Sequence, residues 1–258
     1  MARVRALTAL MLVGAAPLAA QGTAPRPIDT DRPDFTDGTH TVARARFQLE
    51  TGYTFQQMRG ADGGHVHSLP EALLRVGVSS HVELRVGENY LIQGGGGTAA
   101  ASVRGFDDLY LGTKISLTEA HGAVPALSVE AKANLPTGGD AVSAHRWLPG
   151  AAILLGWETE GPWGVGVELL ATRNANDATD GTASISVQYQ ATSRLQWYGE
   201  FIGLRTLGGG ATVANVHVIN SGLLMLINNN VQVDARIGAG LNDEAPRYFF
   251  GFGFAVRR

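Results

Sequence analysis

Acidic and basic residues alternate with neutral ones in several segments of this chain, and they are the first candidates for chemistry. Four acid–base pairs stand two or four positions apart: Glu83/Arg85, Glu130/Lys132, Asp234/Arg236 and Glu71/Arg75. On an extended strand such residues point to the same face. That face could line a hydrated passage of balanced charge, or its ion pairs could fill the passage and close it. Unpaired charges in a dry interior would be very costly, so either pairing or water must be present.

A nucleophile and a base also occur close together in sequence. His217 and Ser221 share a face of one segment, which is the residue pair that an outer-membrane lipid hydrolase would use. Four residues along a strand span about 13 Å, which is too far for a direct hydrogen bond. A neighbouring strand would have to supply the partner, so we expect no catalytic residue and no enzyme.

Cofactor and metal motifs are weak. Gly94 to Gly97 lack the following Lys-Ser/Thr of a phosphate-binding loop. His65 and His67, with Asp62 nearby, are more typical of a solvated loop than of a metal site. We expect no cofactor and no metal. The net charge of −3 gives no electrostatic case for nucleic acid.

The elements that must position these residues are strands. Apolar and polar residues alternate over most of the chain, for example Leu127 to Leu135, and this period of two indicates a strand with two different faces. No long apolar run follows residue 20, which excludes a helical membrane protein. We predict about twelve strands, at residues 46–55, 69–78, 82–92, 106–118, 125–135, 150–158, 163–173, 183–191, 194–204, 216–226, 230–240 and 247–257.

The connections between these segments alternate between long and short. Outer-membrane barrels place tight turns in the periplasm and longer loops outside, and a soluble sandwich has no reason to follow that rhythm. The predicted fold is therefore all-β, a transmembrane antiparallel up-and-down β-barrel with both termini periplasmic. Twelve strands enclose a wider space than an all-apolar lining could fill, so the apolar face should meet lipid and the charged face the lumen. The predicted lumen-lining residues are Glu50, Glu71, Arg75, Glu83, Arg85, Asp108, Lys114, Glu130, Lys132, Glu168, Glu200, Asp234 and Arg236.

Aromatic residues near the strand ends suggest two interfacial girdles, which anchor barrels at the two membrane surfaces. Four of them lie near the outer strand ends and four near the periplasmic ends. The outer group is Tyr53, Phe55, Tyr90 and Tyr248. The periplasmic group is Trp157, Trp163, Tyr189 and Trp197.

The first 45 residues follow a different pattern. Residues 1–20 combine Arg3 and Arg5, a short apolar stretch and a small-residue end, which predicts a cleaved secretory signal peptide. Residues 21–45 are polar, contain three prolines and lack periodicity, and we interpret them as a periplasmic or barrel-mouth segment. Residues 46–258 would form the barrel.

Several stretches resemble an outer-membrane family associated with the meta-pathway of phenol degradation and with transport. They are Asp29 to Thr36 (DTDRPDFT), Gln48 to Tyr53 (QLETGY), Gly105 to Leu109 (GFDDL), Leu135 to Gly138 (LPTG) and Gly238 to Asn242. The resemblance covers nearly the whole chain after the signal peptide, and rests on the order and spacing of these motifs. It implies a barrel associated with uptake of small, aromatic compounds.

The sequence thus predicts a channel or transporter for small, aromatic or hydrophobic solutes in the cell outer membrane. Its expected partners are outer-membrane lipid, the outer-membrane assembly machinery and a small-molecule solute. The alternative is a closed structural or adhesive barrel that acts through its outer loops, which a lumen filled by side chains or by residues 21–45 would favour.

Overall fold

The computed structural model describes residues 26–60, 63–95, 102–207 and 214–258. The predicted signal peptide lies outside these ranges, as do residues 21–25 of the segment that follows it. Among the described residues, no helix is long and apolar enough to cross a membrane.

The regular structure of these ranges consists of strands. They are β1 (Phe47–Gln57), β2 (His65–Gly77), β3 (Val82–Gly94), β4 (Val103–Phe106), β5 (Leu109–Thr118), β6 (Ala126–Leu135), β7 (Leu148–Glu158), β8 (Trp163–Arg173), β9 (Thr179–Gln190), β10 (Leu195–Leu207), β11 (Asn215–Asn228), β12 (Val231–Gly240) and β13 (Tyr248–Arg257).

These strands form one closed antiparallel sheet. From β5 to β13 each strand pairs with the next, and β13 pairs with β1, which pairs with β2 and through it with β3. Both β4 and β5 pair with β3, β4 opposite residues 90–93 and β5 opposite residues 82–87. They therefore occupy one strand position, interrupted at Asp107 and Asp108. The prediction of a twelve-stranded up-and-down transmembrane barrel is confirmed.

The two faces of the wall differ as the alternation predicts. On β13, Phe250, Phe252 and Phe254 are exposed, Phe252 by 58%. Phe249 and Ala255, which flank them in the sequence, are buried. An apolar belt on the outside suits contact with lipid. Inside, buried polar and charged residues outnumber buried apolar ones among the described residues. The core of this protein is therefore a polar lumen.

The barrel has two distinct ends. The connections at residues 78–81, 119–125, 159–162, 191–194 and 229–230 form what we call the short-turn end. The opposite end, which we call the long-loop end, contains the connections at residues 136–147, 174–178 and 241–247 and the described parts of those that follow β1, β3 and β10. Strand β1 begins and strand β13 ends at the short-turn end.

Several strands run further toward the long-loop end than the sequence predicts. Strand β2 begins at His65 instead of residue 69, β9 begins at Thr179 instead of residue 183, and β10 ends at Leu207 instead of residue 204. Backbone pairing continues there although the apolar–polar alternation has weakened, because ladder hydrogen bonds do not depend on which medium the side chains face. The break between β4 and β5 at Asp107 and Asp108 was also not predicted, because the apolar–polar alternation gives no sign of it.

Closure between β1 and β13 can be tested by a disulfide, since the chain contains no Cys. Leu49 and Val256 are directly opposite each other across this pair, and opposite residues of antiparallel strands lie about 4.5–5.5 Å apart at Cα, within disulfide range. We expect Leu49→Cys with Val256→Cys to form an intramolecular disulfide, detected by peptide mass spectrometry and non-reducing electrophoresis.

The matched control is Leu49→Cys with Ile153→Cys, because Ile153 lies on β7, far around the wall. A disulfide in the control pair, or none in the test pair, would contradict the closed order of strands.

Candidate functional site

Residues 26–45 lie inside the barrel, and we call them the plug. The Val42 amide donates to Glu83 of β3 at 2.7 Å, and Ser128 of β6 donates to the Thr39 carbonyl at 2.6 Å. Further around the wall, the Thr36 and Ser184 hydroxyls of the plug and β9 are 2.8 Å apart. A segment that contacts walls on several sides of a closed barrel must run within it. It enters at the short-turn end, where the Ile28 amide donates to the Asn229 carbonyl at 2.8 Å.

One side of the plug is fixed by ion pairs. The Asp31 carboxylate lies 2.6 Å from the Arg85 guanidinium, 3.1 Å from the Lys114 ammonium and 3.3 Å from the Arg75 guanidinium. All four groups are buried. We call this contact between the plug and strands β2, β3 and β5 the paired seam.

The cations of the paired seam are matched by acids of the wall as well. Arg75 lies 3.0 Å from Glu50 and 2.9 Å from Glu83, and it donates to plug carbonyls. Arg85 reaches a second plug carboxylate, Asp37, at 3.0 Å. Breaking a buried pair of this kind by removing one partner costs about 3–5 kcal/mol, because the other charge is left uncompensated.

The charges of the paired seam hold Asp31 ionised. Burial alone would raise the pKa of Asp31, but Arg75, Lys114 and Arg85 outweigh it and hold that pKa far below its usual range. Burial does prevail at Asp37, whose pKa is raised well above the usual value despite Arg85. Asp31 and Asp37, two plug carboxyls of the same seam, therefore differ in how readily they take up a proton.

A second cation of the plug lies over two glycines. Arg32 is 2.7 Å from Glu71 of β2 and 3.4 Å from Asp234 of β12. Gly52 and Gly253 face each other on β1 and β13, and a β-carbon at either position would overlap the Arg32 side chain. These glycines are required because the guanidinium runs directly across the strand backbone.

The opposite side of the plug is held differently, and we call it the amide seam. Glu200 of β10 accepts the backbone amides of Phe35 at 3.0 Å and Thr36 at 2.6 Å, and Glu168 of β8 accepts that of Asp37 at 3.0 Å. Hydrogen bonds to ionised acceptors are about twice as strong as neutral ones. Within the described ranges, neither glutamate forms an ion pair.

Six buried side-chain polar atoms have no hydrogen-bond partner among the described residues, and three of them lie on β10, β11 and β12 beside the amide seam. These three are the Tyr198 hydroxyl, the Asn220 side-chain carbonyl and Nε of Arg236. Asp34 lies on the same side, 3.2 Å from the Ser186 hydroxyl. Burial, reinforced by the nearby charge of Glu200, raises the pKa of Asp34 well above its usual value.

Two spaces adjoin the plug, a cavity on one side and, on the other, the open space that leaves the Phe35 ring 45% exposed. A cavity of about 380 Å³, the vestibule, lies toward the short-turn end, with Asp34, Thr36, His40 and Gln188 among its lining residues. Toward the long-loop end, Val218, Ala245 and Phe249 form a buried apolar cluster with Ile202 and Val216 packed against it. Phe35 of the plug meets the edge of Phe249, with ring centroids 5.8 Å apart, yet remains 45% exposed.

Comparison with known proteins agrees with this architecture. The sequence family described as "Putative MetA-pathway of phenol degradation" matches residues 30–257. The chain belongs to this family. No curated protein sequence matches the chain.

Solved structures share the family's barrel. The COG4313 outer membrane channel from Pseudomonas putida F1 has a TM-score of 0.67 at 12% identity, over 90% of this chain and 100% of that one. The KdgM porin, solved in complex with disordered oligogalacturonate, has a TM-score of 0.55 at 9% identity, over 81% and 98%. The translocator domain of autotransporter NalP from Neisseria meningitidis has a TM-score of 0.52 at 13% identity, over 85% and 90%. At these identities the likeness shows the fold.

The family motifs meet each other in space. The DTDRPDFT stretch supplies Asp31 and Arg32 to the plug, and QLETGY supplies Glu50 and Gly52 to the wall that receives them. The Asp108 carboxylate accepts the amides of Gly138 at 3.0 Å and Ala144 at 2.9 Å. This aspartate of the GFDDL motif thus fixes the loop that carries LPTG.

The thirteen residues predicted to line the lumen lie on the side of the wall that the plug contacts or closes. Ten are buried, and Glu71, Lys132 and Arg236 are partly buried. The sequence analysis missed the plug's own contribution, above all Asp31, Arg32 and Asp34. Their spacing has no strand periodicity, and the only signal was the acid-rich DTDRPDFT stretch itself.

The eight aromatic residues predicted as girdles lie at opposite ends of the wall. Trp163 and Tyr189 contact each other at the short-turn end, with ring centroids 4.6 Å apart, and Trp157 and Trp197 are at the same end. Tyr53 and Phe55 lie toward the long-loop end in a group with Tyr248, Phe250 and Phe252. Tyr90 packs against Phe106 at 5.0 Å on β3 and β4.

The candidate hydrolase pair does not assemble. The Ser221 hydroxyl donates to the Tyr198 carbonyl at 2.8 Å and accepts from Trp197 Nε1 at 2.9 Å. His217 stacks on Phe201 at 6.0 Å and lies 3.1 Å from the Asn215 side chain. In the parts of the chain that the structure describes, no group of three or more His, Cys, Asp or Glu is arranged to hold a metal ion.

The paired seam predicts a large effect from Asp31→Asn. The substitution keeps the shape but removes the only plug carboxylate that three buried cations share, so we expect the plug to loosen by about 3–5 kcal/mol. Limited proteolysis and hydrogen exchange across residues 26–45 measure this. Asp29→Asn is the control, because its carboxylate is half exposed and bonds only to His40 of the plug. Equal exchange rates in the two variants would contradict the role of Asp31.

The close contact of Arg32 with Gly52 and Gly253 predicts that a steric substitution also loosens the plug. In Gly52→Ala the new methyl occupies the place of the Arg32 guanidinium, so Arg32 should leave Glu71 and Asp234, and residues 26–45 should exchange faster. Gly166→Ala is the matched control, since its β-carbon would meet only the Thr36 methyl at 3.4 Å, an ordinary contact. If residues 26–45 are equally protected from hydrogen exchange in Gly52→Ala and Gly166→Ala, Arg32 does not require a glycine at position 52.

Proposed function

We propose that this protein is an outer-membrane channel for small, aromatic or hydrophobic solutes, with its long-loop end outside and both termini periplasmic. The observation that carries the proposal is the half-exposed Phe35 ring inside the barrel, against the apolar cluster around Val218 and Phe249. An aromatic ring that faces open space within a lumen offers a contact surface to an apolar solute.

The position of Phe35 suits aromatic solutes in particular. Its ring lies over the Arg236 guanidinium at 4.6 Å, which fixes one face of the ring, and Phe249 meets it edge-on. Aromatic pairs contribute about 0.5–1.5 kcal/mol beyond the burial of their area. The description of the family, and the similarity of the fold to a channel and a porin, support the same proposal.

The location and orientation rest on general properties of such barrels. An apolar outer belt and aromatic residues at both ends are typical of outer-membrane proteins, which place tight turns in the periplasm. The short-turn end, where β1 begins and β13 ends, would then face the periplasm.

Liposome swelling with two neutral sugars of different apolar content tests the solute class. Phenyl β-glucoside is larger than methyl β-glucoside, so a purely aqueous pore must pass it more slowly. We expect phenyl β-glucoside to enter at least as fast, and Phe35→Ala to slow it by roughly twofold to tenfold, the equivalent of one aromatic contact. Phe106→Ala, which removes an exposed ring outside the lumen, serves as the control. A faster entry of methyl β-glucoside in every variant would rule out the aromatic preference.

The plug itself favours a second candidate, a closed structural or adhesive barrel. Its ion pairs span the short-turn half of the lumen and could close it permanently. The two candidates separate on the Asp31→Asn variant. If neither it nor the intact chain admits either glucoside, the closed barrel is the better description.

A further inference from the structure

The two sides of the plug differ in how their charge is compensated. On the paired seam every wall cation has acids within ion-pair distance, since Arg75, Arg85 and Lys114 all contact Asp31 and the two arginines contact wall glutamates as well. That seam is densely filled. A path for water or ions on this side would have to break several buried ion pairs.

On the amide seam the acids have no such partners. Glu168 and Glu200 accept backbone amides, and Asp34 bonds to the Ser186 hydroxyl. In the described part of the chain, none of the three takes part in an ion pair. Glu168 and Glu200 therefore give the amide seam an excess of negative charge in a largely enclosed region, and Asp34 adds little to it because its pKa is raised.

A second observation points to a polar guest at the same place. Tyr198 is 1% exposed and Asn220 is 4% exposed, and the two side chains are neighbours, yet neither the Tyr198 hydroxyl nor the Asn220 carbonyl has a hydrogen bond of good geometry to a described residue. The other end of the Asn220 amide donates to Glu200 at 3.1 Å, so the free carbonyl lies beside that carboxylate. An unmet buried polar atom destabilises the fold, and a bound water normally satisfies it.

The unpartnered atoms lie between the two spaces that adjoin the plug. Asp34 lines the vestibule on the short-turn side. Nε of Arg236 is the third unpartnered atom beside the amide seam, and the Arg236 guanidinium lies under Phe35 on the long-loop side. Asp34, Asn220 and Arg236 all lie near the Tyr198 hydroxyl, so these four residues form a row of polar groups from the vestibule to the space beside Phe35.

We propose that this row is a hydrated, cation-selective passage beside the plug, in which Glu168 and Glu200 attract cations and repel anions. The proposal rests on the proposed channel function and adds the route and the sign of the permeating ion. Acidic side chains that face a narrow pore favour cations for the same electrostatic reason in other channels. The plug stays in place while ions pass, because the paired seam keeps it anchored.

Planar bilayers with a potassium chloride gradient test the selectivity through the reversal potential. We expect the intact chain to prefer potassium over chloride by several fold. Glu200→Gln and Glu168→Gln keep an oxygen that can accept the plug amides but remove the charge, so each should reduce the preference by at least half. Asn220→Asp adds a carboxylate at the same site and should raise it. Glu160→Gln, in the exposed turn between β7 and β8, should leave it unchanged.

A reversible tether separates a fixed plug from a moving one. The Thr36 and Ser184 hydroxyls are in contact, so Thr36→Cys with Ser184→Cys should form a disulfide between the plug and β9. Potassium conductance that persists after oxidation supports the passage beside a fixed plug. Conductance that disappears on oxidation and returns on reduction overturns it, because the plug would then have to move.

The remaining outcomes distinguish the passage from the channel itself. A conductance that is unselective or prefers chloride overturns the passage and leaves the channel intact. Conductance in Asp31→Asn but none in the intact chain overturns the passage and makes the plug a gate. No conductance in either chain overturns both proposals. Heat-modifiable electrophoretic mobility shows whether each variant has folded. If Glu200→Gln does not fold, Asn220→Asp and Glu168→Gln decide the question.

Discussion

The buried contact of Asp31 with Arg75, Arg85 and Lys114 is the constraint on which the interior of this protein depends. Three cations that point into a barrel must meet water or opposite charge. The wall supplies part of that charge, and residues 26–45 supply the rest. The N-terminal segment thus compensates buried cations of the wall, Lys114 above all, and at the same time obstructs the lumen.

This constraint divides the lumen into two media. In the short-turn half, ion pairs and charge-assisted hydrogen bonds hold the plug, and Gly52 and Gly253 let Arg32 lie directly on the wall. In the long-loop half, Val218, Ala245 and Phe249 form a buried apolar cluster, and the half-exposed Phe35 ring lies at its edge. An apolar solute would therefore meet a matching surface first and a charged barrier second.

The barrier is asymmetric, and the asymmetry follows from the distribution of cations. Strands β2, β3 and β5 carry Arg75, Arg85 and Lys114, whereas β8 and β10 present Glu168 and Glu200 to plug amides. Charge is therefore compensated within the protein on one side and left over on the other. A plug that is rigidly anchored along one seam and hydrogen-bonded along the other can stay in the lumen without sealing it.

The sequence by itself determined the barrel. The alternation of apolar and polar residues along β6 or β13 indicates that neighbouring residues face different media, which is a local property. The alternation of long and short loops indicates that the barrel has two different ends. The sequence also determined which charged residues face inward, because Glu83 and Arg85, or Asp234 and Arg236, share the phase of their strands. The strand ends beyond the apolar belt escaped prediction because both faces there meet polar surroundings.

Only the tertiary structure decided what occupies the lumen. Asp31 and Lys114 are far apart in the chain, and ion pairing between a non-periodic segment and a strand leaves no pattern in the spacing of residues. Sequence analysis therefore left a hydrated lumen and an ion-paired lumen equally open. The structure shows an ion-paired seam on one side of the plug and uncompensated acids on the other, because closure of the barrel brings both walls within reach of one segment of the chain.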